Sequence, residues 1–82
     1  MTKKFTKKET CMLNFTLALY NDSIRTTDAH LDAKLVGALA LLCAYFGKDS
    51  IGKLRRQSDS YLCILDTKGN VFYGCYPCAL HF

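Results

Sequence analysis

Long apolar runs and proline are what this 82-residue chain has least of. Its longest uncharged apolar run, from Leu35 to Phe46, is twelve residues, whereas a helix needs about twenty to cross a bilayer. No membrane span is expected. The single proline, Pro77, sits near the C-terminus, so no earlier helix or strand is interrupted by its ring. There is no glycine-rich phosphate loop and no His-Glu-x-x-His pair. His30 stands near Asp28 and Asp32, but no serine or cysteine nucleophile can be tied to it. Two aspartates one turn apart suit the start of a helix, where negative charge meets the helix dipole. The expectation is a protein that is not an enzyme.

Half of the residues are hydrophobic and 22% are charged, a composition that folds. The length allows one α+β domain over residues 1–82, with no room for a second. The formal net charge is +4, and Lys3, Lys4, Lys7 and Lys8 crowd the N-terminus. The remainder is close to neutral, which argues against a basic groove across the whole domain. The apolar run after these lysines, Cys11 to Tyr20, is broken by Asn14 and Thr16 and lacks a small-x-small cleavage site. It therefore does not resemble a secretory signal. Five cysteines, an odd number, fit reduced thiols in the cytoplasm better than a disulfide scaffold.

Along the chain, Thr6-Lys7-Lys8-Glu9 matches a capping box, with Phe5 placed as a hydrophobic staple. Cys11, Met12, Phe15 and Leu19 then repeat at helical spacing until Asn21-Asp22-Ser23. A second helix is expected from Thr26-Thr27-Asp28 to Phe46, with Gly47 as its C-cap. It is amphipathic at first and apolar on every side from Leu35 onward. Its expected place is the centre of the core, although a helix of this kind also suits a dimer or partner face. Ser50 to Gln57 predicts a short third helix or a turn, weakened by Gly52. Ser60 to Asp66 and Val71 to Tyr76 predict a C-terminal β-hairpin around Asp66-Thr67-Lys68-Gly69-Asn70. Tyr61, Cys63 and Leu65 should face one way, and Leu62 and Ile64 the other.

Three groups of residues are candidates for function. The first is apolar: Leu39, Leu42, Tyr45 and Phe46 on the second helix, with Tyr61, Phe72, Tyr73 and Tyr76 on the hairpin. Aromatic clusters of this kind pack cores or form interface hot spots. They point to a small cytoplasmic regulatory protein that binds another protein, or itself as a homodimer. In size and shape alone it is similar to phage-encoded accessory inhibitors such as antiholins or anti-defence proteins. The second group is cationic. If the segment after Ser50 were a recognition helix, Lys53, Arg55 and Arg56 would lie on it and Lys68 at a wing tip, the order of a winged-helix DNA binder. The third is Cys75-x2-Cys78-x2-His81 with Cys63 on the partner strand, thiolate and imidazole donors of the kind that bind zinc. One ligand dyad is missing from that pattern. The expectation is no cofactor, with a zinc-stabilised module as the alternative.

Overall fold

A computed structural model describes residues 4–25, 29–58 and 60–76. Two helices precede three strands: α1 (Lys7–Ser23), α2 (Ala29–Phe46), β1 (Lys53–Ser58), β2 (Tyr61–Leu65) and β3 (Val71–Cys75). The strands form an antiparallel sheet in the order β1-β2-β3.

The capping box at the start of α1 forms as the sequence predicts. The Glu9 amide donates to Thr6 Oγ1 at 3.1 Å, and the Thr6 amide donates to Glu9 Oε1 at 2.8 Å. Two of the helix's unpaired amides are thereby satisfied. At the far end of α2, Gly47 adopts φ 100° and its amide bonds to the Cys43 carbonyl at 2.9 Å. Glycine takes this left-handed cap without steric cost. The predicted start of α2 at residues 26–28 lies outside the described residues.

Strand β2 is the centre of the sheet, and its residues 62–65 are all buried. Leu62 and Ile64 point to the helices. There they join Leu13 and Leu17 of α1, Leu42 of α2, and Ile51 in one core. Cys63 and Leu65 point to the opposite face, as alternation requires. The β2–β3 turn is built on Asp66, whose Oδ1 accepts from the Lys68 and Asn70 amides, each at 2.9 Å. Gly69 supplies the positive φ, 90°.

The expected third helix is not there. Residues 53–58 form β1 instead, paired with β2 from Lys53↔Leu65 to Ser58↔Tyr61. Its sequence, KLRRQS, has neither β-branched nor aromatic residues, so local propensity gives no strand signal. The strand exists because β2 needs a second hydrogen-bonding neighbour. The charged side chains suit its place at the sheet edge, where they discourage pairing with other chains. Gly52 does not weaken a helix here. Its amide donates to the Leu65 carbonyl at 2.6 Å, and an added Cβ would collide with the Asp66 carbonyl. Gly74 of β3 is likewise crowded, by the Tyr61 ring that lies over it.

The placement of α2 also departs from expectation. The inner helix is α1, with Leu13, Thr16, Leu17 and Leu19 buried, whereas α2 buries Ala38 and Leu42. Thr16 sits inside without penalty because its hydroxyl donates to the Met12 carbonyl at 3.0 Å. By length and composition alone, α2 reaches what a membrane-crossing helix requires, although the longest uncharged run within it is shorter.

Two tests follow from this packing. Gly52→Ala should destabilise the fold by about 1–3 kcal/mol in urea titration, because backbone cannot move aside. Gly74→Ala should cost less, and less again when Tyr61 is also replaced by alanine, a coupling that Gly52→Ala should not show. The second test concerns acid. The carboxyls of Asp66 and Glu9 lie below their usual range, chiefly through backbone amides, of Asn70 for Asp66 and of Thr6 for Glu9. A depressed folded-state pKa gives stability that is present above the unfolded values of about 3.9 and 4.3 and is lost as pH falls through the folded ones. Urea midpoints should therefore drop in acid, and Asp66→Asn should flatten part of that drop.

Candidate interaction surface

The first helix lies antiparallel to the second, so the start of α1 meets the end of α2. An aromatic cluster ties this end of the molecule together. Phe5, Phe46 and Phe72 stack edge to face with centroids 5.2 to 6.0 Å apart, and Tyr73 packs 5.6 Å from Phe5. Edge-to-face pairs of this spacing are favourable beyond their buried area. The Tyr73 hydroxyl also donates to Asn14 Oδ1 at 2.5 Å, joining β3 to α1. Phe5 thus packs on α2 and β3.

This cluster changes the standing of the predicted interaction residues. Phe46, Phe72 and Tyr73 are partly buried and packed against the core. Leu39 packs there too, and Leu42 is a core residue, 1% exposed. Tyr45 is 47% exposed. The Lys8 ammonium sits 5.8 Å above its ring, and a hydrogen bond to Glu9 raises the pKa of its hydroxyl. On the opposite side of the sheet, Tyr61 and Tyr76 pair at 5.1 Å. Tyr76 is exposed and Tyr61 half-buried.

On α2, Tyr45 of the candidate residues is exposed while Leu39 and Leu42 turn inward, and other apolar residues take the outer face. Along α2, Ala33, Val36, Gly37, Ala40, Leu41 and Ala44 are all exposed, with Val36 at 67% and Leu41 at 66%. On a helical wheel these positions form a single arc without a charged side chain. At its margin, Leu41 and Ala38 meet Met12, Phe15 and Thr16 of α1 in a shallow apolar groove of about 60 Å³. A signal for this arc is present in the sequence. Leu31 and Leu35 set the inward phase, and continuing it at helical spacing puts Ala38 and Leu42 inside, and Leu41 and Ala44 outside.

The cationic candidates do not share a helix, since Lys53, Arg55 and Arg56 lie on β1. By strand alternation Lys53 and Arg55 take one face and Arg56 the other. Lys68 lies in the β2–β3 turn, where it lines a cleft with Lys53 and Asp66. The winged-helix geometry is therefore corrected: the recognition helix it needs is an edge strand.

The zinc candidates are divided as well. Cys63 pairs with Gly74, and Leu62 with Cys75, which puts Cys63 and Cys75 on opposite faces of the sheet. Burial raises the pKa of the Cys63 thiol, which donates to Gln57 Oε1 at 3.5 Å. A protonated, buried thiol is a poor metal ligand and a poor nucleophile. Cys78 and His81 lie outside the described residues. Among the described residues no three His, Cys, Asp or Glu side chains come together as a metal site.

The chain matches no protein-family model, no curated protein and no solved structure.

Adjacent leucines on α2 give a direct check of which face is outside. Leu42→Ala should cost about 2–5 kcal/mol through lost burial and a cavity. Leu41→Ala should change stability by no more than about 0.5 kcal/mol in the same urea titration.

Proposed function

We propose that this chain is a non-catalytic regulatory module that binds protein through the outer face of α2. The observation that carries this reading is the exposure of Val36 and Leu41 on an uncharged arc of an otherwise well-packed small domain. Surface helices usually turn charged residues to solvent. A contiguous apolar patch on a small soluble domain marks an interaction site more often than it marks nothing. The free thiols of Cys11, Cys43 and Cys63 fit a reducing compartment such as the cytoplasm.

The clefts that flank Lys68 do not compete with this face. The two clefts beside the β2–β3 turn are lined by Asp66, Thr67 and Lys68 with backbone-rich neighbours, and the Asp66 carboxylate there is already engaged in holding the turn. Small-molecule sites are deeper and mostly apolar.

A photo-reactive amino acid placed at Ala40 tests the reading in cells of the native host. Irradiation should yield a protein adduct from position 40 and none from the same probe at Lys68, in the β2–β3 turn. Absence of any adduct from position 40 would contradict the proposal.

A further inference from the structure

The sheet has a second face, turned away from both helices, and the appearance of β1 in place of a third helix sets its chemistry. Lys53 pairs with Leu65 and Arg55 with Cys63, so both cations stand on this face beside β2. Burial raises the Cys63 thiol, and the nearby Arg55 charge partly opposes that rise. Gln57 is there too, accepting from the same thiol. From β3, Gly74 pairs with Cys63. The Tyr61 ring lies over Gly74 and meets the Tyr76 ring edge to face, with centroids 5.1 Å apart. Cys63 and Leu65 are buried in the middle, while Lys53, Arg55, Gln57, Val71 and Tyr76 around them are exposed.

Rings and cations occupy opposite ends of this strip. At one end, Tyr61 and Tyr76 line an open cleft of about 540 Å³ with Gln57, Ser58, Ser60 and Val71. At the other end of β1, Lys53 and Lys68 line the cleft beside the turn, where the Asp66 carboxylate is held by backbone amides. Arg55 lies between the two. The strands themselves contain no acidic residue. Residues 52–76 carry four cations against two acids, Asp59 and Asp66. From Lys53 to Ser58, which pairs with Tyr61, the strip is roughly 17 Å long at the usual strand rise.

This pattern selects a ligand. Clustered cations favour a polyanion, and exposed rings favour flat apolar groups. Single-stranded nucleic acid supplies both, with phosphates for lysine and arginine and unpaired bases for the rings. A duplex keeps its bases stacked and away from rings on a sheet face. An acidic protein would engage the cations and leave the rings without flat partners. We infer that the outer face of the sheet binds single-stranded nucleic acid. Lys53, Arg55 and Lys68 hold phosphates, and Tyr76 with Tyr61 stacks a base. The site shares no residue with the α2 face.

Fluorescence anisotropy of the full chain with short labelled oligo(dT) and oligo(U) tests this. The expected result is binding of at least one strand at low salt, weakened as salt is added. Lys53→Ala and Arg55→Ala should each shallow the slope of log affinity against log salt by about 0.7. Tyr76→Ala should weaken binding by roughly five- to a hundredfold, and Tyr76→Phe should retain it. Circular dichroism checks that each variant is folded. Leu41→Ser, on α2, should leave the affinity unchanged. No binding at low salt would overturn the inference. A larger loss from Lys7→Ala or Lys8→Ala than from Arg55→Ala would also overturn it, by moving the contact to the N-terminus. Equal binding of the dA·dT duplex, or indifference to Tyr76→Ala, would reduce the site to charge alone and overturn it. Equal binding of polyglutamate would overturn it in favour of an acidic protein.

Discussion

The fold depends on α1 lying between α2 and the sheet. A three-stranded sheet of five- and six-residue strands offers one narrow face to the helices, and α1 takes most of it with Leu13 and Leu17 against Leu62 and Ile64. α2 is left to pack beside α1 through Ala38, Leu42 and the edge of the core. Apolar burial favours covering α2 as well, but there is no remaining element among the described residues to do it. The same constraint that makes α1 a core helix leaves α2 with an apolar face outward.

The aromatic cluster fixes this arrangement. Phe5 comes before the capping box, yet it touches the end of α2 and the middle of β3. Three separate parts of the chain therefore meet at one point, and the antiparallel order of the two helices follows from it. Phe46, Phe72 and Tyr73, which look like part of a binding surface in the sequence, are used here to close the fold. What α2 leaves outside is Val36, Leu41, Tyr45 and the alanines.

Much of the local structure is legible in the sequence, because it rests on short-range chemistry. The Thr6–Glu9 box, the Gly47 cap, the Asp66–Asn70 turn and the alternation of Leu62 and Ile64 against Cys63 all need only neighbours to specify them. The class, α+β with two helices ahead of a hairpin, follows from those pieces. β1 was hidden because an edge strand of lysine, arginine and glutamine is set by its partner and not by its own propensity. Gly52 misleads for the same reason: it reads as a helix breaker, and its purpose is a close backbone approach to Asp66. The outer face of α2 was only half legible. A helix apolar on all sides shows that something must cover it, but not which side its own chain covers. The phase set by Leu31 and Leu35 resolves that, once α1 is known to be the inner helix.

The central claim is that Val36 and Leu41 of α2 face outward while Leu42 is held in the core. Methyl NMR of dilute protein with a water-soluble paramagnetic probe measures this directly. The Leu13, Leu17 and Leu42 methyls should be shielded, and the Val36 and Leu41 methyls broadened. Broadening of Leu42, or shielding of Leu41, would contradict it.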